Sequence, residues 1–317
     1  MQKLLILLCF ILTACVSRDQ PQPCTTCFDP NPEEVWESTT AQGISLYTNQ
    51  IRGLVPDSND QLFIVQSLGY SIADANGIER VRASEQEIFC VSQDPIRLGG
   101  KNILVTLDQG NGPFFPFDFT EAMTALLNIG DDRIFAGGEF GRLVEWKNGK
   151  WQELAVPFDQ NLPLEGRAIT ALAFDEQQQL WVGTKDQGFF IRQSGVWSQQ
   201  TAQKKIAAIE LGRNGLVFVA DEEAGLFRYQ DGGGEIIPIG LNGARLKALF
   251  LDERGRLWIG SDQGVRRIHN ALRSAPFNVD GFDINDGLLD NEVQHIYVDG
   301  EDWWFGGPRG LSHRFLR

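Results

Sequence analysis

Three kinds of residue in this chain could carry chemistry: histidines, cysteines and clustered carboxylates. Only three histidines occur, His269, His295 and His313, and their spacing fits no metal-binding pattern. Asp280, Asp283, Asn285, Asp286 and Asp290 invite a calcium reading. Phe282 stands where the first ligand should be if Gly287 were the loop glycine, so the run reads as a solvated loop. There is no phosphate-cradling glycine loop, no HExxH zinc pair and no GxSxG elbow. The tripeptide Asp-Gln-Gly recurs at 108–110, 186–188 and 262–264. Asp and Gly suit tight turns, so it reads as a hairpin connection. No catalytic residue, metal or cofactor is expected.

The cysteines divide by position. Residues 1–14, MQKLLILLCFILTA, place Lys3 before an apolar run too short to span a bilayer and suited to a secretory leader. The run ends Leu12-Thr13-Ala14-Cys15, which resembles the bacterial lipobox. That resemblance implies cleavage before Cys15, lipid on its thiol with acyl chains such as palmitate, and a durable membrane hold. Val16 follows where an inner-membrane retention signal usually has Asp. In a Gram-negative cell this implies the outer membrane, facing the periplasm. The alternative is a plain secretory leader with a cysteine at its cleavage site. Residues 16–33 hold four prolines and little apolar periodicity, so 15–33 reads as a lipidated cysteine and extended tether. Cys24 and Cys27 suit a local disulfide in an oxidising compartment, and Cys90 falls in a core position. The formal charge of −14, with scattered cations, argues against a nucleic-acid partner.

The elements that would position any site come from internal repetition. ITALAFDEQQQLWVGTKDQG and LKALFLDERGRLWIGSDQG match closely, and seven units start at Ile51, Ile88, Met123, Ile169, Ile206, Leu246 and Val293. A period near forty suits four short strands per unit. Two residues after each start stand Gly53, Cys90, Ala125, Ala171, Ala208, Ala248 and His295, small in six units. Three after stand Leu54, Val91, Leu126, Leu172, Ile209, Leu249 and Ile296. A large apolar column reads Phe63, Leu104, Phe135, Trp181, Phe218, Trp258 and Trp304. Small residues fit where inner strands converge, and large ones fill the widening gap farther out. The reading is all-β: a seven-bladed β-propeller of four-stranded antiparallel blades over 34–317. The segment from Glu34 to Ser38 completes the last blade as its outer strand.

The units from Ile169 and Leu246, and NDGLLDNEVQHIYVDGEDWWFGGPRGLSHRF, resemble the two-component-regulator propeller repeat. The shared features are Asp252-Glu253-Arg254-Gly255, Leu257-Trp258-Ile259-Gly260-Ser261 with Gly264-Val265, and Leu180-Trp181-Val182-Gly183-Thr184. The match is good in three units, recognisable in three and poor in the second. In that family such repeats often form the extracytoplasmic sensor part of hybrid histidine kinases. The sequence carries no kinase or DNA-binding region, so the resemblance implies fold and ligand sensing rather than direct signalling output.

Propellers bind on loops along one rim. The candidate rim is Tyr70, Asn111, Phe114, Phe115, Glu139, Phe140, Lys185, Asp186, Glu222, Asp262 and Arg309. Arg167, Lys204, Arg245 and Asn291 join it from the loops entering the inner strands. GNGPFFPFDF offers an aromatic patch, by core packing or partner binding. His295 could face the axial channel or serve local packing. The expected function is non-catalytic binding or scaffolding, with a sensory variant, of a protein or glycan in the periplasm. The alternative is a propeller lyase or hydrolase with its site at the channel mouth. Replacing Cys15 with Ala is expected to abolish incorporation of a labelled fatty acid and to release the protein from membranes; equal labelling of variant and wild type would remove the anchor.

Overall fold

The computed structural model describes residues 34–39, 46, 48–57, 59, 61–74, 77–83, 87–93, 95–101, 104–107, 119–130, 132–200, 204–230, 233–240 and 243–316. The predicted leader and tether, with Cys15, Cys24 and Cys27, lie outside these residues, as do Asn111, Phe114 and Phe115.

Seven antiparallel sheets follow one another along the chain, and Trp36–Phe315 form a seven-bladed propeller. The inner strands are Ile51–Pro56, Ile88–Ser92, Met123–Ile129, Ile169–Phe174, Ile206–Leu211, Leu246–Leu251 and His295–Asp299, in blades 1 to 7. Six sheets have four strands; blade 2 has three among the described residues. Glu34–Thr39 is fourth in blade 7, beside Gly310–Leu316, so the N-terminal strand completes the last blade as the sequence predicts.

Burial follows distance from the axis. The second strands Leu62–Gln66, Leu180–Thr184, Val217–Asp221 and Leu257–Ser261 are buried at every residue, because neighbouring blades cover both faces. The outer strand Val196–Gln200 is mostly exposed. The core is therefore a set of slabs between blades. Phe135, Ile169 and Leu180 pack between blades 3 and 4, and Leu246, Phe218 and Ile259 between blades 5 and 6.

The blades interlock through one recurring contact. A methyl on Gly137 would lie 2.5 Å from Ile169 Cγ2, on Gly183 2.6 Å from Ile206 Cγ2, and on Gly306 2.6 Å from Ile51 Cγ2. Each glycine is in the second strand of one blade, and its partner begins the next blade. Gly99 faces the Met123 side chain in the same way, and Gly260 lies against the Val293 backbone carbonyl. Gly306 against Ile51 joins blade 7 to blade 1, the ring's closing contact. The residue two places into the repeat pairs with this position, as Ala125 with Gly137 and Ala171 with Gly183, and in blades 1 and 5 Val65 and Ala220 stand in place of the glycine.

The repeat motif has a physical basis. Asp175 accepts the Gln179 backbone N–H at 2.8 Å and the Trp181 indole N–H at 2.8 Å. Asp252 does the same for Arg256, at 2.9 Å, and Trp258, at 2.9 Å. One carboxylate thus closes the first hairpin and orients the large aromatic. Thr184 and Ser261 then cap the Asp-Gln-Gly turns, donating to Gly188 O at 2.6 Å and Gly264 O at 2.9 Å. Gly188 (φ +75°) and Gly264 (φ +95°) supply the left-handed conformations those turns need.

Blade 2 corrects the large apolar column. Its second strand is Arg97–Gly100, and Leu104 belongs to the third, Leu104–Thr106. Ser92 pairs with Arg97, as Ala173 pairs with Trp181 in blade 4. A buried arginine, its Nε donating to Thr106 Oγ1 at 3.3 Å, holds the place of a Phe or Trp. The first hairpin is short here, so a search for an apolar residue slides onto the next strand.

Gly306→Val forces a branched side chain into Ile51 at the closing contact. It is expected to destabilise the propeller by ~1–3 kcal/mol, read as a lowered melting temperature. Gly233→Ala, on an outer strand with 3.7 Å of clearance, should change little; equal effects would show that the interlock does not govern stability.

Candidate functional site

The rim is held by the backbone. At the turn after the second strand of blades 1, 3, 4, 5 and 6, one N–H donates to the carbonyl just before the inner strand. The bonds run Ser67 to Gln50 at 3.2 Å, Glu139 to Ala122 at 3.0 Å, Lys185 to Ala168 at 3.0 Å, Glu222 to Lys205 at 2.8 Å, and Asp262 to Arg245 at 3.1 Å. Further bonds cross to the next blade: Ile88 N to Ser67 O at 2.9 Å and Val293 N to Ser261 O at 2.9 Å. Asp221 accepts from Lys204 N, Lys205 N, Glu223 N and Ala224 N at 2.7–3.1 Å, which fixes the blade 5 loops.

On this frame the predicted rim residues divide. Lys185, Asp186, Lys204 and Arg245 are exposed across blades 4 to 6. Among the described residues Lys185, Lys204 and Arg245 have no ion-pair partner within 4 Å. Glu222 pairs with Lys247 at 3.4 Å, and Arg309 with Asp290 at 3.3 Å. Phe140 is 47% exposed. Four residues are committed to structure. Glu139 Oε1 accepts Ala122 N at 3.0 Å, and Asp262 Oδ1 accepts Arg245 N at 2.9 Å. Arg167 binds Gln160 Oε1 at 2.9 Å, and Asn291 Oδ1 accepts Ile284 N at 3.0 Å. Tyr70 is placed away from the others, half-buried with its ring 5.6 Å from Phe63.

The axis holds a cavity of about 350 Å³ to which all seven inner strands contribute. In blades 1 to 6 the register skips the second residue of the repeat, between Ile51 and Gly53 or Leu246 and Ala248, for example. The skipped residue lines the cavity mouth: Arg52, Phe89, Thr124, Thr170 and Lys247 are such positions, joined by Gln294 in blade 7. The aliphatic column from Leu54 to Ile296 lines the wall beyond them. Sequence reasoning missed these mouth residues. The small and aliphatic columns on either side share a character, whereas the bulged position varies in chemistry and shows itself only by its place in the repeat.

The histidines are dispersed. His269 Nε2 lies 3.0 Å from an Asp280 carboxylate oxygen; His313 stacks on Trp304 with ring centroids 3.6 Å apart. His295 lines the cavity and bonds the Ile51 backbone where blade 7 meets blade 1. Among the described residues no group of three or more His, Cys, Asp or Glu side chains is arranged to hold a metal ion.

With this geometry the chain is similar to other propellers of known structure. It matches the extracellular domain of a protein named as a hybrid two-component system, BT4673 of B. thetaiotaomicron (TM-score 0.69, 18% identity, 89% of this chain and 40% of that one). It therefore spans about two fifths of that domain. It also matches virginiamycin B lyase from Staphylococcus aureus (TM-score 0.72, 13% identity, 90% and 100%) and YCF48 bound to D1 peptide (TM-score 0.65, 12% identity, 92% and 97%). At these identities the likeness shows the fold. No family model and no curated protein sequence matches the chain.

Two half-buried ionisable groups on inner strands tie the ring to pH. Burial pushes Glu210 up to about 8, against one hydrogen bond from the Leu251 backbone. Burial, helped by the Arg52 charge, holds His295 down to about 4, against its bond to Ile51. The unfolded chain releases the Glu210 proton near 4.5, so this group's stabilisation is lost as pH rises from there through about 8. The unfolded chain takes up the His295 proton near 6.5, so that group's stabilisation is lost as pH falls from there through about 4. Glu210→Gln should flatten the first decline in melting temperature and His295→Gln the second. Profiles parallel to wild type would show that neither group sets the pH dependence.

Proposed function

We propose that this chain is a non-catalytic ligand- or protein-binding propeller of the bacterial cell envelope, held at the membrane by lipid on Cys15 and serving a scaffolding or sensory role. The observation that carries this reading is the rim of blades 4 to 6. There the exposed cations Lys185, Lys204 and Arg245 stand on a frame fixed by backbone bonds. Their side chains have no ion-pair partner within 4 Å among the described residues, and such charges steer and select partners. The extracellular sensor-type neighbour and the peptide-bound neighbour use the same fold, which supports an envelope receptor.

A lyase or hydrolase at the channel mouth is the second reading, favoured by the likeness to virginiamycin B lyase and by His295 lining the cavity. Against it, His295 is bonded to the backbone where the ring closes, and the other two histidines engage Asp280 and Trp304.

Crosslinking the anchored protein in its own cells tests the reading. The variant Lys185→Glu/Lys204→Glu/Arg245→Glu is expected to lower recovery of the wild-type partner by about tenfold without changing the melting temperature. Undiminished recovery with the variant, or no partner across several growth conditions, would overturn it.

A further inference from the structure

The axial cavity is lined by cations and no carboxylate in a chain that is acidic overall. The sequence has 42 acidic residues against 28 Lys and Arg. The cavity wall nonetheless includes Arg52 and Lys247 and not one carboxylate. The two cations belong to blades 1 and 6, on either side of Gln294 of blade 7, so they stand on one side of the mouth. Across the mouth the Thr124 and Thr170 hydroxyls are spent, donating to Ile169 O at 2.7 Å and Ile206 O at 2.5 Å. Hydrogen-bond donation into the cavity therefore comes from the cationic side, and the aliphatic collar lies beyond it.

Both cations are held by acids outside the wall. Arg52 Nη2 is 3.2 Å from Glu87 Oε1, and Lys247 Nζ is 3.4 Å from Glu222 Oε1. Gln294 Nε2 likewise donates to Glu292 Oε1 at 2.7 Å, leaving its carbonyl oxygen to accept. Arg52 Nε is buried and has no hydrogen-bond partner. That atom is closed to solvent, so a carboxylate in the cavity would be held by charge-assisted hydrogen bonds from the Arg52 terminal nitrogens and the Lys247 ammonium.

We propose that the axial cavity binds a small organic anion with an apolar body, of the aryl or branched-alkyl carboxylate class. The carboxylate sits on the Arg52–Lys247 side and the apolar body on the collar formed by the Leu54-to-Ile296 column. The volume, about 350 Å³, lies at the small end of ligand sites and suits one ring or a short branched chain. This deepens the receptor reading and rests on it, but uses residues separate from the rim cations of blades 4 to 6.

Fluorine NMR on the full chain tests the inference with 4-fluorophenylacetate, 4-fluorophenethyl alcohol and 4-fluorophenethylamine. The acid is expected to bind, and the alcohol and amine at least ~tenfold more weakly. Arg52→Gln and Lys247→Met should each weaken the acid by about tenfold while keeping the wild-type melting temperature. Ala207, the skipped residue of blade 5, also lines the cavity, and Ala207→Phe, which fills the mouth, should abolish binding. Equal affinity for the three probes, no binding of the acid, or affinity unchanged in both charge variants would overturn the inference. Loss of acid binding with partner recovery intact would sink this proposal alone; loss of partner recovery with acid binding intact would sink the rim reading alone.

Discussion

In five of the seven blades a bare glycine of the second strand receives the start of the next blade, from Met123 on Gly99 to Ile51 on Gly306. A Cβ at the glycine would leave too little room, and a smaller side chain at the start of the blade would leave a void; close packing penalises both. The contact sets how near the inner strands approach. It also leaves Trp181, Phe218 and Trp258, farther from the axis, to fill the wider part of each slab. Because the last such contact returns to the first blade, the ring closes without an open sheet edge at the join.

The axial cavity follows from the same arrangement. The starting residue turns outward onto the preceding blade, and the small residue two places on turns outward to pair with the glycine strand. The residue between them is left out of the pairing and faces the axis. It is the position in the inner strand with least packing duty, and it carries the variety: Arg52, Phe89, Thr124, Lys247. The rim is different in kind. Its backbone is fixed by bonds within and between blades, while Lys185, Lys204 and Arg245 remain exposed. A ring fixed by backbone bonds thus presents exposed charged side chains around a small recess with a largely aliphatic wall.

Where the sequence misled, a local substitution had broken a periodic rule. In blade 2 the large apolar position is Arg97, buried through its bond to Thr106, and nothing in a hydrophobic pattern marks an arginine as core. Tyr70 looked like a rim residue because it follows a turn glycine, but its side chain points into the slab beside Phe63. His295, by contrast, lines the axial cavity and bonds Ile51 where blades 7 and 1 meet, the two placements its sequence position offered. Each of these depends on which face of a strand a residue occupies and what lies opposite it.

The amino-acid order by itself determined the number of blades, the start of nearly every inner strand, the turn role of Asp-Gln-Gly at 186–188 and 262–264 and the closure of the last blade by Glu34–Thr39. These are legible because they recur: a spacing repeated seven times stands out against variation at any one position. Only the tertiary structure decided which residues meet at the axis, since Arg52, Gln294 and Lys247 are far apart in the chain and share no motif. It likewise decided which rim charges are free and which are spent on backbone amides. Those assignments come from the bulge, the interlock and the closing of the circle, which are contacts between repeats and leave no periodic trace within one.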